Sequence, residues 1–91
     1  MIILDTDVLI EIMDRNSEHG DLDFPAFPFD SKDAELSSRI EVGLEAKGLM
    51  VRSMDAMLAA IVIRRAARLY TYNIKHFERM KEFGLELFAA E

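Results

Sequence analysis

The period of apolar and polar positions changes several times along this chain, and each change marks an element. Ile2-Ile3-Leu4 is an unbroken, β-prone apolar run, the pattern of a strand buried on both faces in a parallel sheet. It stops at Asp5-Thr6-Asp7, after which Val8, Leu9, Ile12 and Met13 recur at helical spacing and predict a helix over 7–14. The polar, Gly-containing stretch 15–23 reads as a loop. Pro25 and Pro28 then leave room only for a short strand over 26–29. Asp30 predicts the cap of a long helix, with Asp33 favouring its positive end. Leu36, Ile40 and Leu44 lie one turn apart and face inward, Gly43 permits a neighbour to approach, and Gly48 is placed as the glycine just past the helix end. Glu35, Glu41 and Glu45 fall mainly off that stripe and are expected to be solvated.

Beyond the short connection 49–51, Ser53 is expected to cap a helix from Met54 to about Ala67. Positions 56–63 are apolar on every side, which predicts the central buried helix. Leu69 to Tyr72 reads as the third strand, Asn73 as the start of a helix ending at Gly84, and Leu85 to Phe88 as an edge strand, with 89–91 fraying. The order β-α-β-α-α-β-α-β is that of an α/β protein with a small parallel sheet.

Ninety-one residues make one domain, 1–91, and bury only about 60–65% of the surface of the unfolded chain. A 51% apolar composition with six Met and six Phe is generous for that size, so a homodimer or larger homo-oligomer is expected. The absence of Cys excludes disulfides and thiolate metal sites, leaving carboxylate, amide and imidazole ligands. No apolar run approaches the ~18 residues of a membrane helix, and no basic region precedes the apolar start as in a signal peptide. A cytoplasmic location is expected, with no membrane partner. The net charge of −6 argues against holding nucleic acid by bulk electrostatics. It leaves room for a nuclease whose acidic cluster binds cations, and it equally suits a basic protein partner.

Candidate chemistry gathers where strands meet helices. Asp5 ends the first strand, Asn73 follows the third, and Asp55 starts a helix, so all three can converge on the rim outside the strand carboxyl ends. Singly, Asp55 also has a structural explanation as a dipole partner, Asp7 as an N-cap and Asn73 as another cap. Oxygen ligands without imidazole or thiolate suit Mg²⁺ or Mn²⁺, which need one or two protein carboxylates and act on phosphate-bearing substrates. His76 is expected to be exposed, and its distance from His19 gives no metal-ligand spacing.

In order, Leu4-Asp-Thr-Asp-Val-Leu-Ile10, Phe27-Pro-Phe-Asp30, Gly48 with Ser53-Met-Asp-Ala-Met-Leu-Ala-Ala60, and Leu69-Tyr-Thr-Tyr-Asn73 with His76-Phe77 cover nearly the whole chain. Together they resemble the PIN domains, and within them the VapC-type toxins of toxin–antitoxin pairs. The resemblance implies a three-layer PIN-like domain and an Mg²⁺- or Mn²⁺-dependent endoribonuclease inhibited by a cognate antitoxin. Asp5 and Asp55 would be metal ligands, with Asn73 in the fourth acidic position. Thr6, Asp7 and Thr71 would support them by hydrogen bonds.

One departure stands out. Helices that the family places after its first helix have no counterpart here, since only the loop 15–23 fills that interval. The catalytic Glu they carry has no assignable equivalent, Glu11 and Glu18 being the nearest. Their loss would bare Met13, Phe24, Phe27, Met57 and Ile61, and a partner subunit could supply the missing acid. Lys32, Arg52 and Lys75, all near helix starts, are candidates for meeting RNA phosphates, and Tyr72 for stacking on a base. Arg64, Arg65 and Arg68 lie ~14–20 Å along the central helix from Asp55 and are expected to be structural or partner-binding. The competing readings are a catalytically degenerate PIN-like module acting through protein binding, and a receiver-like phosphate-handling α/β domain.

Overall fold

A computed structural model describes residues 1–5 and 29–88; the predicted first helix, the loop 15–23 and most of the strand 26–29 lie outside them. Strand β1 (Ile2–Leu4) pairs in parallel with β2 (Arg68–Tyr70), with Ile3 opposite Leu69. Between them in sequence come helices α1 (Ser31–Glu45) and α2 (Ser53–Arg64). After β2 follow the short helix α3 (Ile74–Glu78) and a 3₁₀ turn over Lys81–Phe83. The expected last strand is reduced to one parallel bridge, Leu69 to Leu87, held by Leu69 N–H to Glu86 O and Phe88 N–H to Leu69 O. These described elements form a small α/β arrangement compatible with a PIN-like fold.

Helix α2 is the centre, packed against α1 and against β2. Ala56, Ala59, Ala60 and Val62 are fully buried, and the three alanines let neighbouring layers come close. Ile40 and Leu44 of α1, Leu69, Phe77, Met80 and Leu85 complete the core. Gly43 faces the Phe83 ring so closely that a Cβ would sit 2.6 Å from ring carbon Cζ, which is the close approach expected there. Strand β1, expected to be buried on both faces, is not: Ile2 is exposed and Ile3 and Leu4 only partly covered. The described helices do not cover the sheet completely.

Helix α1 begins with a capping box. Asp33 N–H donates to Asp30 Oδ1 at 2.9 Å, and Asp30 N–H donates to Asp33 Oδ2 at 3.1 Å. Arg64 Nη1 donates to both carboxylates, at 2.7 Å to Asp30 and 2.9 Å to Asp33, and Arg65 adds a longer 3.4 Å contact to Asp33. Burial by itself would push the Asp33 carboxyl up. The Asp30 N–H and the two guanidiniums outweigh it and hold Asp33 below the usual carboxylate value. The Asp33 N–H, then Arg64, hold Asp30 down as well. The start of α1 therefore lies beside the end of α2, and the two helices run in opposite directions. Arg64 and Arg65 thus tie the end of α2 to the start of α1.

Three helix boundaries depart from expectation, each for a local reason. Ser53 does not cap α2; Arg52 occupies the cap position with no side-chain bond, and Ser53 is already helical. The helix ends at Arg64 rather than near Ala67 because Ala66 adopts φ 51°. The Ala67 N–H then bonds Val62 O and the chain turns into β2. Helix α3 stops at Glu78 instead of running to Gly84. Arg79 Nε takes the His76 carbonyl at 2.9 Å, and Met80 N–H turns to Phe77 O, so the helical ladder is diverted. By contrast Gly48, at φ 75°, ends α1 as expected, with Leu49 N–H on Leu44 O and Gly48 N–H on Glu45 O.

Candidate functional site

Asp5 continues the sheet ladder for one step beyond β1, its N–H donating to Tyr70 O at 2.9 Å. That step places its carboxylate at the strand end, where it is 9% exposed. Thr71 leaves β2 immediately opposite. Its hydroxyl donates to Asp5 Oδ2 at 2.7 Å and accepts the Asn73 N–H at 3.0 Å. A hydroxyl can do both at once, and this one is only 5% exposed. The double use explains why β2 ends at Tyr70, short of the expected Tyr72: Thr71 is committed to Asp5 and to the following turn.

Asp55 is the third residue of α2, where the positive helix end favours a carboxylate, and it is 7% exposed. Arg52 Nε donates to its Oδ2 at 3.1 Å from a side chain that is 82% exposed. His76 Nε2 lies 3.0 Å from the same oxygen. His76, expected to be exposed, is instead 20% exposed at its side chain and wedged between Asp55 and Arg79. Sequence reasoning missed it. The available signal was its position three residues past Asn73, one turn into a helix that leaves the strand end, so its side chain lies over the same rim.

The segment 71–76 therefore joins the two acids: Thr71 grips Asp5 and His76 meets Asp55. Asn73 sits between them at the start of α3, exposed and with no side-chain cap bond. Lys75 is exposed on α3, and Arg52 reaches Asp55 from α2. Lys32 belongs elsewhere: it lies in the first turn of α1, beside the Arg64 end of α2 and away from Asp55. Tyr72 is half exposed next to Thr71, its ring edge-on to Tyr70. Thr6 and Asp7, expected to support the acids, and Glu11 and Glu18 fall outside the described residues.

Two buried carboxylates and no thiolate suit a hard dication that keeps most of its waters, such as Mg²⁺. Among the described residues no three His, Cys, Asp or Glu side chains gather as a group that could hold a metal ion. Among these residues, too, no helix is long and apolar enough to cross a membrane.

No family model matches the chain. It is similar to Ribonuclease VapC1 of Methanocaldococcus jannaschii, 39% identical over 51 residues, which are 56% of this chain and 38% of that protein. The chain thus spans about two fifths of the length of the relative it matches.

Proposed function

We propose that this chain is a ribonuclease of the VapC type, cleaving RNA phosphodiester bonds at the rim formed by Asp5, Asp55 and Asn73. The observation that carries the reading is the 71–76 segment, which ties Asp5 through the Thr71 hydroxyl and meets Asp55 through His76. The partial likeness to a protein named a ribonuclease supports it. The cofactor proposed is Mg²⁺ or Mn²⁺ on Asp5 and Asp55, which when bound supplies Lewis acidity toward a phosphate oxygen. The chain's own residues do the rest. Thr71 fixes the Asp5 carboxylate. Asn73 offers an exposed amide to the sugar–phosphate backbone, and Arg52 and Lys75 offer positive charge to neighbouring phosphates. A cognate antitoxin is the proposed protein partner.

The test is cleavage of single-stranded RNA with Mn²⁺, in the chain and in Asp5→Asn and Asp55→Asn. Loss of activity in both variants and in excess chelator is expected; activity that survives all three defeats the reading. A second reading, a degenerate PIN-like module that binds protein only, draws on the neutral Asn73 and on there being no third ligand among the described residues. Calorimetry separates the two, since a competent site gives saturable Mn²⁺ binding that Asp5→Asn removes, and a degenerate module gives none.

A further inference from the structure

Arg79, which follows α3, spreads its guanidinium over three acceptors. Nε donates to His76 O at 2.9 Å, Nη2 donates to Met50 O at 3.1 Å, and Nη2 lies 2.7 Å from His76 Nδ1. A guanidinium has donors and no acceptor, so Nδ1 must accept, and the proton of the neutral ring sits on Nε2. That nitrogen is the one turned toward Asp55, 3.0 Å from Oδ2. It is shut off from water yet out of line for a hydrogen bond, and it has no other partner among the described residues. A buried donor beside a carboxylate oxygen is an incomplete contact, and an Asp carboxylate turns readily about its last torsion to complete it. The Met50 bond adds a second anchor, tying the same guanidinium to the connection that leads into α2, two residues before the Arg52 cap.

We propose that Arg79 is a positioning residue for the site: by holding His76 with Nε2–H toward Asp55, it sets the orientation in which the Asp55 carboxylate receives a divalent cation. The inference rests on the reading of Asp55 as a ligand. Groups that orient a metal ligand from behind are generally worth 10–100-fold in metal affinity.

The experiment combines ring ¹⁵N spectra of the metal-free protein in mildly alkaline buffer with Mn²⁺ calorimetry. The chain has two histidines, so His19→Gln assigns the His76 signals. In the unsubstituted chain His76 is expected to carry its proton on Nε2, with Nδ1 shifted as a hydrogen-bond acceptor and the Nε2–H exchanging slowly with water. Arg79→Ala should lose the Nδ1 shift and the slow exchange, keep its amide spectrum, and bind Mn²⁺ about 10-fold more weakly. Arg79→Lys, which keeps one donor, should recover part of both effects. A proton on Nδ1 in the unsubstituted chain overturns the proposal. So does unchanged Mn²⁺ affinity in Arg79→Ala once the ring signature has collapsed. Absence of Mn²⁺ binding in the unsubstituted chain removes the ligand reading of Asp55 instead, and the ring spectra still decide whether Arg79 fixes His76.

Discussion

Asp33 and Asp55 hold the same position in their helices, the third residue, and both are buried, yet their surroundings differ in kind. Asp33 is closed on from every direction. The Asp30 N–H takes one oxygen, Arg64 and Arg65 share the other, and no surface remains exposed. Asp55 has a cap residue whose side chain cannot accept a hydrogen bond, one bond from a mostly exposed arginine, and a histidine that belongs to a different element. Helix α2 runs between them, with Asp55 at its start and Asp33 against its end. A first-turn aspartate is thus structural where its own helix's cap and packed cations saturate it. It is available for chemistry where its partners come from solvent-exposed or distant side chains.

Substitution should separate the two acids most sharply. Asp33→Ala leaves two guanidiniums and the Asp30 N–H facing a vacated buried site. The expected loss is about 3 kcal/mol of unfolding free energy, the low end for breaking a buried ion pair because both arginines keep some water. Asp55→Ala releases an arginine that returns to solvent and is expected to cost about 1 kcal/mol or less. The order reverses for function: Mn²⁺ binding should vanish in Asp55→Ala and persist in any folded Asp33→Ala. Urea unfolding beside calorimetry reads both quantities. Equal destabilisation by the two variants would erase the distinction drawn here.

Acid should weaken the Asp33 end of the molecule. Both Asp30 and Asp33 are held below their ordinary carboxyl value, so the unfolded chain takes up protons at higher pH than the folded one. The stability they contribute is present in full above the unfolded value of about 4 and is lost as pH falls further, through the folded values. Thermal unfolding followed from neutral to acid pH should be insensitive to this cluster down to about pH 5 and decline below about pH 4. Asp33→Asn should lower the neutral plateau and make that decline shallower. An unchanged acid limb in Asp33→Asn would assign the decline to other carboxylates.

The sequence made some of this visible and hid the rest for physical reasons. The spacing of Asp30 and Asp33 foretold a cap, because capping chemistry is local. The stripe Leu36, Ile40 and Leu44 and the all-apolar centre of α2 located the core, since burial follows helical period. What failed was non-local. Nothing along the chain tells that Arg64 and Arg65 reach back 31 and 32 residues to Asp33. Nor does anything local show that Thr71 spans 66 residues to Asp5. His76 looked solvated because its partner Asp55 is on another helix, and Ser53 resembled a cap because its residue type favours one. Asp5, Asp55 and Asn73 were named from their places at strand ends and helix starts. The segment 71–76 reaches Asp5 and Asp55 through contacts distant in sequence, which no local pattern encodes.

The smallest expected effect lies at the end of α2, where the turn that presents Arg64 and Arg65 to Asp33 depends on a strained residue. Gly48 and Gly84 adopt positive φ without a side chain, whereas Ala66 does so at 51° with one. A left-handed alanine costs about 1–2 kcal/mol that glycine avoids, and glycine gives back part of that through the greater freedom of its unfolded chain. Ala66 is exposed, so its methyl group contributes no core packing to be lost. Ala66→Gly is therefore expected to raise the unfolding free energy by about 0.5–1 kcal/mol, with Mn²⁺ binding at the far end of the helix unaltered. A loss of stability in the urea transition would mean that the alanine restrains the unfolded chain more than the turn strains it. A changed Mn²⁺ affinity would mean that the two ends of α2 are coupled, and Asp33 could then no longer be treated as independent of the site around Asp55.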